Sequence, residues 1–461
     1  MSIIKAVYNF LWGDLFSIPL PGGASIGISL LVLLLIPAGI FFTIRTKFLP
    51  IRCFPEMLRL SVEKKSSEKS DAISGLQALI VSTACRVGMG NIVGVVAAVS
   101  AGGPGAVFWM WVTALIGSST AYIEATLAQL HKEKDPLYGG YRGGPAYYIH
   151  NFFTKGKAKR YSVMAVLFAL SGLLCWCGVS QVISNSVTSA FYNAFHIPPI
   201  VSTIILVALA AVIVLRKNTT VKVLDIIVPI MAALYFVIAL FVIFTNLELL
   251  PDVFGRIFAE AFGLRQVAAG GFGAALMNGV KRGLFSNEAG SGSAPCAAAA
   301  AEVSHPAKSG LLQAFGVFID TIVICSCTAM IMLLTPADLL SGLEGMGLLQ
   351  AAMNYHFGYA GVVFIAITLW LFCFSTFLGI LYYARSNVAY LFGDNWKSQT
   401  AYKILALVML FIGGLAAYTF VWDLGDIGVG LMTVFNMIAI LPMSGQAVKC
   451  LEEYMKLRKN K

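Results

Sequence analysis

Two stretches of sequence decide the fold: Arg86-Val-Gly-Met-Gly-Asn91 and Arg282-Gly-Leu-Phe-Ser-Asn-Glu-Ala-Gly-Ser-Gly292. Each lies inside a long apolar run and combines several glycines with charged or amide side chains. A glycine inside a helix costs about 1 kcal/mol relative to alanine, so a cluster of glycines favours an interruption. Both runs are therefore predicted to be broken helices.

The composition around these stretches is that of a membrane protein. Of the 461 residues, 58% are hydrophobic and 12% are charged. A soluble domain cannot bury that much apolar surface, whereas lipid covers it at no penalty. The sequence therefore predicts one all-α membrane domain over residues 1–461, surrounded by lipid.

Eleven apolar runs are long enough to cross a bilayer, which requires about 20 residues per helix. The segment 246–263 is instead expected to form a helix that lies on the membrane surface. The eleven runs lie near residues 26–44, 75–100, 105–131, 162–192, 199–215, 223–244, 267–301, 311–334, 359–392, 402–419 and 427–448.

The basic residues set the orientation. They concentrate in 45–69, 132–160, 216–222 and 449–461, which fall on one side when all eleven runs cross. Positively charged loops stay in the cytoplasm. The prediction is a multi-pass protein of the inner (plasma) membrane with its N-terminus outside and its C-terminus inside. The net charge of +10 then reflects topology, and no nucleic-acid partner is expected, because no basic patch carries interleaved aromatics.

The two broken runs lie about 200 residues, or five helices, apart. Five is an odd number, so two five-helix repeats that each begin with a broken helix would have opposite orientations in the membrane. The predicted repeats are 71–246 and 264–451, and 26–44 is an additional N-terminal helix. Broken helices at equivalent positions of two repeats indicate a transport site.

An unwound segment can bind ligands that an intact helix cannot bind, because its backbone groups are free. Its free carbonyls can coordinate Na⁺, and the N-terminus of the following half-helix attracts a carboxylate. An amino acid with a sodium ion needs both groups. The alternative, glycines that serve only close helix packing, leaves Arg86, Asn91 and Glu288 unexplained.

Further polar side chains lie in apolar runs. The hydroxyls of Ser375 and Thr376 suit Na⁺, although such hydroxyls also bond to carbonyls of the preceding turn. Buried charges cost about 2.5 to 3.5 kcal/mol each on insertion scales, which makes Arg86, Glu124 and Glu288 functional candidates. Whether they pair with each other or contact the substrate stays open. Asp320 is interpreted as a gate or packing residue.

Enzymatic chemistry is not indicated. The nine cysteines and five histidines show no metal-ligand or catalytic-triad spacing, and no phosphate-binding loop for ATP is present. We therefore expect transport driven by an ion gradient, with Na⁺ as the coupling ion and no organic cofactor. Proton coupling through Glu124 or Glu288 is the alternative, and an ion channel a more distant one, because no filter sequence repeats.

The chain resembles the alanine or glycine:cation symporter family over nearly its whole length. This resemblance implies a LeuT-type fold, with 5+5 inverted repeats and one extra N-terminal helix, and a monomer that carries a small neutral amino acid. The motifs that carry it are Val87-Gly-Met-Gly-Asn-Ile-Val-Gly94, Gly102-Gly-Pro-Gly-Ala-Val-Phe-Trp-Met-Trp-Val112, Gly143-Gly-Pro-Ala-Tyr-Tyr148, Arg282-Gly-Leu-Phe-Ser-Asn-Glu-Ala-Gly290 and Phe374-Ser-Thr-Phe-Leu-Gly379.

The resemblance also implies two sets of site residues. Sodium would be held by backbone near Ala84 and Val87, the carbonyl of Phe372, and the hydroxyls of Ser375 and Thr376. The substrate would contact Met89, Gly90, Asn91, Phe285, Ser286 and Thr376.

The chain departs from the family pattern at three pocket positions. Met89 replaces a threonine between two glycines, Ile183 stands where members have glutamine (Gln181 is nearby), and Ile380 replaces a tryptophan. These changes make the pocket less polar and roomier. The hypothesis is a substrate bulkier than alanine or glycine.

Overall fold

The computed structural model describes residues 3–19, 25–63, 73–155, 157, 161–216, 220–263 and 271–460. Almost every element in this part of the chain is a helix, and the few strands are short. The prediction of an all-α membrane protein is confirmed. The predicted seventh run begins at 267, and residues 264–270 lie outside the described ranges.

The N-terminal region contains more structure than the sequence predicted. Strands β1 and β2 form an antiparallel hairpin, and the extra membrane helix starts at Leu30 instead of residue 26. Residues 26–29 belong to β2, and Ser29 caps the helix by accepting a hydrogen bond from the Val32 N–H at 3.2 Å. The elements are α1 (Ile3–Trp12), β1 (Asp14–Pro19), β2 (Ser25–Ser29), α2 (Leu30–Arg45), α3 (Leu49–Arg52) and α4 (Phe54–Ser61).

The next region contains the first broken helix and the helices that follow it. A π-helical segment, Arg86–Gly94, joins its two halves. The elements are β3 (Ile73–Ser74), α5 (Gly75–Cys85), α6 (Val95–Gly102), α7 (Gly105–Leu130), β4 (Glu133–Lys134), β5 (Tyr141–Arg142), α8 (Pro145–Thr154), α9 (Val163–Phe195), α10 (Pro199–Val214), α11 (Thr220–Thr245), a 3₁₀ turn (Leu247–Leu249) and α12 (Leu250–Ala261).

The last region also starts with a broken helix, the second one. Its next long helix contains another π-helical segment, Phe318–Cys325. The elements are α13 (Gly271–Asn287), α14 (Ala294–Ala300), β6 (Ala301–Glu302), α15 (Pro306–Val317), α16 (Ser326–Leu333), α17 (Ala337–Leu340), α18 (Met346–Phe357), α19 (Tyr359–Phe392), α20 (Trp396–Gly413) and α21 (Tyr418–Lys459).

Six helices of the described residues are long and apolar enough to cross a membrane, or seven if one bent pair is a single span. That pair, Pro229–Thr245 with Leu247–Ala261, bends by 75°, so α12 turns sharply away from α11. Two more apolar helices, α2 and α10, are shorter. The count of eleven crossings and the repeat boundaries stay predictions.

The packing brings both breaks to the centre of the molecule. Helix α9 packs against α19, α20 and α21, while α7 packs against α13 and α15. The π-helical segment of the first break contacts α13, α19 and the second π-helical segment. Strands β3 and β6 pair in parallel, which joins the start of the first broken helix to the end of the second.

Candidate functional site

The first break is narrow. Only Val87 (φ −74°, ψ 71°) and Gly88 (φ −153°, ψ −132°) have non-helical backbone within the π-helical segment. A Cβ at position 88 would lie 1.9 Å from Thr376 Oγ1 and 3.2 Å from the Phe372 carbonyl oxygen. Glycine is therefore needed because the unwound backbone lies directly against α19.

The second break is wider and lies later than the sequence indicated. Helix α13 continues through Asn287, so Phe285 and Ser286 lie in its last turn and not in the unwound stretch. The backbone leaves the helix at Glu288 (φ 56°), and Gly290 (φ 96°) and Gly292 (φ 84°) continue in left-handed conformations. Such φ values favour glycine, which explains the glycines at 290 and 292, whereas Glu288 adopts the left-handed conformation without being a glycine.

Several oxygen atoms of α19 and the first break converge around Thr376. Its hydroxyl accepts a hydrogen bond from the Met89 N–H at 3.2 Å and lies 3.0 Å from the Phe372 carbonyl and 3.4 Å from the Cys85 carbonyl. The Ser375 hydroxyl donates to the same Phe372 carbonyl at 2.9 Å. The bonds to the preceding turn thus coexist with contacts across the break. Three of the predicted sodium ligands, Phe372, Ser375 and Thr376, share one small volume.

The remaining two predicted sodium ligands are backbone positions of the first broken helix. Val87 is one of the two unwound residues, and Ala84 lies near the end of α5, just before the break. Oxygen atoms from two helices at an unwound segment form the kind of group that binds a hard cation. Among the described residues, no cluster of three His, Cys, Asp or Glu side chains could hold a metal ion.

A buried carboxylate, Asp320, connects the two broken helices. Asn91 Nδ2 donates to Asp320 Oδ1 at 2.8 Å, and Ser286 Oγ donates to Oδ2 at 2.8 Å. Thr321 Oγ1 also donates to Oδ2, at 2.7 Å, and the Asn91 side chain accepts from the Gly88 N–H at 3.1 Å. Asp320 lies on the second π-helical segment, so one side chain holds three interrupted helices together.

The three charged residues that the sequence singled out, Arg86, Glu124 and Glu288, form two groups. Arg86 Nε lies 4.0 Å from Glu288 Oε2, and Arg86 Nη1 donates to the Gln313 carbonyl at 3.1 Å. Glu288 Oε2 also accepts from the Tyr383 hydroxyl at 3.2 Å. Of the alternatives left by the sequence, the structure therefore pairs Arg86 with Glu288.

Glu124 stands apart from that pair. It accepts hydrogen bonds from the Gly290 N–H at 3.2 Å and from Asn436 Nδ2 at 2.9 Å. It is fully buried, and none of the ion pairs among the described residues includes it. Among the described residues, both groups that donate to Glu124 are neutral, although buried charges are normally paired directly.

A small cavity of about 30 Å³ lies between the two breaks and α9. This volume holds one or two water molecules and is too small for an amino acid, so the cavity is contracted. Of the predicted substrate residues, Met89, Gly90, Phe285, Thr376 and Ile380 line it. The full lining is Cys85, Met89, Gly90, Cys175, Trp176, Val179, Leu284, Phe285, Glu288, Ser291, Ser293, Thr376, Ile380 and Val429.

Four predicted substrate residues do not line this cavity. Asn91 and Ser286 point to Asp320 instead. Gln181 faces α20, where its Nε2 donates to Met409 Sδ at 3.4 Å, and Ile183 is buried away from the cavity. Helix α9 presents the face of Cys175, Trp176 and Val179 to the cavity. Gln181 lies on another face, whereas Ile183 lies on the same face one turn beyond Val179 and therefore past the end of the cavity.

Four residues of α13 and α21, here called the lid, cover one side of the cavity. They are Arg282, Phe285, Trp422 and Asp426. The Phe285 ring lies 5.1 Å from the Trp422 ring, and the Arg282 guanidinium lies 4.0 Å from the centre of Trp422. Arg282 also makes a bidentate ion pair with Asp426, at 3.0 and 3.1 Å. Trp422 and Asp426 were not predicted as site residues, because they lie on α21, about 140 residues away in sequence from their partners.

A comparison with known proteins decides the family. The model of the sodium:alanine symporter family matches residues 23–461. This chain belongs to that family.

Curated members of the sodium:alanine symporter family resemble the chain over nearly its full length. The protein named "Probable sodium/glutamine symporter GlnT" from Bacillus subtilis is 44% identical over 93% of this chain and 88% of its own length. The amino-acid carrier protein AlsT from the same organism is 41% identical over 99% and 93%. The sodium/alanine symporter AgcS from Methanococcus maripaludis is 35% identical over 100% and 98%.

Solved structures establish the fold of this family member. MhsT in complex with L-phenylalanine superposes with a TM-score of 0.58 at 14% identity, covering 82% of this chain and 89% of MhsT. A manganese transporter from Eremococcus coleocola gives a TM-score of 0.53 at 13% identity, over 84% and 81%. Both have the LeuT-type fold, which confirms the predicted fold class. The chain is a multi-pass membrane transporter, and its family indicates Na⁺ as the coupling ion.

Proposed function

We propose that this protein takes up a neutral amino acid together with Na⁺ by alternating access. The observation that carries the proposal is the contact between the unwound Val87–Gly88 backbone and the Phe372–Thr376 turn of α19. This contact combines carbonyl and hydroxyl oxygens in a buried place beside the cavity. The names of the relatives, which are sodium-coupled symporters, support the same activity.

In this proposal the first break has two roles. The carbonyls of Ala84, Val87 and Phe372 and the hydroxyls of Ser375 and Thr376 bind Na⁺. Beyond the break, the half-helix that starts at Met89 and Gly90 directs its N-terminus at the cavity. The positive end of a helix dipole attracts a carboxylate, so the substrate carboxylate binds there.

The cavity lining supports a substrate larger than alanine. Much of the lining is apolar or thiol-bearing, but Glu288, Ser291 and Ser293 form a polar end. Their oxygens can accept hydrogen bonds from a side-chain amide. Two relatives carry the words glutamine and alanine in their names. We propose glutamine ahead of alanine, with the cavity expanding as the lining side chains move.

Uptake into proteoliposomes tests both parts of this function. A panel of radiolabelled glutamine, alanine, glycine and leucine is measured with an inward Na⁺ gradient and with choline replacing Na⁺ at the same pH. Sodium-dependent uptake in which unlabelled glutamine competes best supports the proposal. Competition led by alanine or glycine overturns the substrate assignment, and equal uptake in choline overturns sodium coupling.

Proton coupling is the second candidate, and Glu124 is the observation that favours it. Its carboxyl group is fully buried and bonded only to neutral donors, so a proton can take the place of a cation there. A sodium/proton-dependent alanine carrier protein from Bacillus strain PS3 is 38% identical over 86% of this chain. Uptake driven by a pH gradient without Na⁺, and lost in Glu124→Gln, supports this alternative. Uptake that needs Na⁺ and ignores the pH gradient excludes it.

A further inference from the structure

Helix α1 lies outside the LeuT-type core, yet it contacts the lid of the cavity. Leu11 and Trp12 at its end are buried, and the Trp12 indole N–H donates to the Asp426 carbonyl at 3.0 Å. A Cβ at Gly430, one turn along α21, would lie 3.0 Å from Leu11 Cδ1 and 3.3 Å from Trp12 Nε1. Helix α1 is therefore packed closely against α21.

Helix α1 also contacts α13, and the residue of α13 that it contacts is Lys281. Lys281 Nζ lies 2.5 Å from Asp426 Oδ2 and donates to the Tyr8 hydroxyl at 2.5 Å. The ammonium group lies 4.6 Å from the centre of the Tyr8 ring and 5.6 Å from that of Trp12, within the range of cation–π attraction. Tyr8 of α1 thus contacts Lys281 on α13, and Trp12 of α1 contacts Asp426 on α21. Lys281 and Asp426 are paired with each other.

The lid separates the contracted cavity from a larger one. Tyr418 lines a cavity of about 710 Å³ that opens at the predicted outer side. The Tyr418 ring lies 6.2 Å from Trp422, which contacts Phe285 on the other side. Substrate that enters from the larger cavity reaches the contracted cavity only if α13 and α21 separate at Arg282, Lys281 and Asp426.

We propose that Tyr8 and Trp12 are positioning residues that hold this lid closed. They act through Lys281 and Asp426 and contact neither the substrate nor the cavity. Tyr8 bonds to α13 and Trp12 to α21, so opening the lid breaks at least one of their hydrogen bonds together with the Arg282–Asp426 pair. Helix α1 therefore sets how often the site is open to the outside. The proposal rests on the proposed function and on the predicted orientation.

The accessibility of two native cysteines to a thiol reagent shows whether the lid is open. Cys85 and Cys175 line the contracted cavity, whereas the other seven cysteines are buried elsewhere. A membrane-impermeant methanethiosulfonate reagent is added to whole cells or to inverted vesicles, without Na⁺ and without amino acid. Labelling of each cysteine is then followed by mass spectrometry of its peptide.

The variants are Tyr8→Phe, which removes one hydrogen bond and keeps the ring, and Trp12→Phe, which removes one hydrogen bond and replaces the indole by a smaller aromatic ring. Loss of the neutral hydrogen bond in Trp12→Phe predicts a rise of about 3- to 10-fold in external labelling of Cys85 and Cys175. Loss of the bond from the charged Lys281 in Tyr8→Phe predicts a rise of about 10-fold or more. Asp426→Asn, which weakens the lid itself, should give a larger rise. Phe10→Ala is the matched control, because Phe10 is on the same helix and 61% exposed, and it should leave labelling unchanged.

Transport kinetics separate this role from a merely structural one. A site that is open more often shows a lower external KM, because apparent affinity scales with the fraction of competent protein. Tyr8→Phe should lower the KM, whereas a folding defect lowers only the maximal rate.

The proposal is overturned if labelling and KM stay unchanged in Tyr8→Phe and Trp12→Phe while Asp426→Asn raises labelling. An increase seen only in inverted vesicles also overturns it. Labelling needs neither Na⁺ nor substrate, so this result stands even if the proposed sodium coupling or substrate is wrong.

Discussion

The two broken helices differ in how they are interrupted. The first unwinds at two residues only, Val87 and Gly88, and its backbone is packed against α19. The second leaves the helix from Glu288 to Ser293, with three residues in left-handed conformations. A tight break fixes carbonyl positions, which suits a small ion, whereas a longer break leaves room for side chains and for movement.

The surroundings of the two breaks also differ: the first break is packed against α19, and the second lines the cavity. The first break is held by backbone and hydroxyl contacts to Phe372 and Thr376. The second contributes Glu288, Ser291 and Ser293 to the cavity lining. We infer that the first break serves mainly the ion and the second mainly the substrate side chain, while Asp320 keeps the two in register.

The largest expected loss of uptake comes from closing the space at the first break. Gly88→Ala places a Cβ where Thr376 Oγ1 lies, and overpacking by a methyl group costs about 1 to 3 kcal/mol. Sodium-dependent uptake should fall by at least about 10-fold. Gly94→Ala, in the same segment but with no atom within 4 Å of its added Cβ, is the control and should retain uptake. Equal activity of both variants would show that the tight contact is unnecessary.

The charge pair that joins the breaks should matter next. Removing one partner of a buried ion pair costs about 3 to 5 kcal/mol, so Arg86→Met and Glu288→Gln should each lower the melting temperature of the purified protein markedly. The double variant should lose less than the sum, because neither charge is left alone. Lys47→Met, which breaks an exposed pair with Glu452, should change stability by less than about 1 kcal/mol. Additive losses in the double variant would mean that the two residues act separately.

A smaller effect on sodium-dependent uptake is expected from Asp320, which accepts hydrogen bonds from both broken helices. Asp320→Asn keeps the shape of the side chain but removes the charge that accepts from Asn91 and Ser286. Hydrogen bonds to a charged group are worth about 1.5 to 3 kcal/mol, so the half-saturating Na⁺ concentration for uptake should rise about 10-fold. Asp338→Asn, at an exposed position of α17, serves as the control. An unchanged sodium dependence would assign Asp320 to packing alone.

The smallest effect concerns the end of the second broken helix. Lys132 Nζ donates to the Ala301 carbonyl at 2.7 Å, and burial lowers the pKa of this lysine from 10.5 to about 8. Between these values the unfolded chain binds more protons than the folded one, so this lysine makes stability rise with pH from about 8 to 10.5. The melting temperature of Lys132→Met, compared with the unsubstituted protein at each pH, should lose this rise. Parallel pH profiles for the two proteins would contradict it.

The sequence predicted the fold and the presence of both breaks because these depend on local signals, although the second break begins only at Glu288, after the predicted Phe285 and Ser286. Glycine clusters, apolar runs and basic loops are visible within about 20 residues. The family resemblance implies that Thr376 shares a sodium site with backbone near Ala84 and Val87, but it does not predict the contact of Thr376 with Gly88. The contracted size of the cavity could not be predicted, because it depends on the packing of side chains from five separate helices.

The contacts that sequence reasoning missed are all long-range. Asp426 meets Arg282 across 144 positions, and Tyr8 meets Lys281 across 273. Helix α1 is only ten residues long and lies before the first predicted crossing, so it gave no membrane signal. Asp320 had been interpreted as a gate or packing residue, but its role as the acceptor between the breaks appears only when three helices are brought together.

The central claim is that the first break and α19 together form the sodium site. Its most direct test is a sodium titration of amino-acid uptake in proteoliposomes for Thr376→Ala beside Thr368→Ala, a buried hydroxyl two turns earlier on the same helix. The account predicts that Thr376→Ala raises the half-saturating Na⁺ concentration by about 10-fold or more, as expected for losing one ligand contact, while Thr368→Ala does not change it. An unchanged sodium dependence in Thr376→Ala, with uptake otherwise intact, would contradict the assignment.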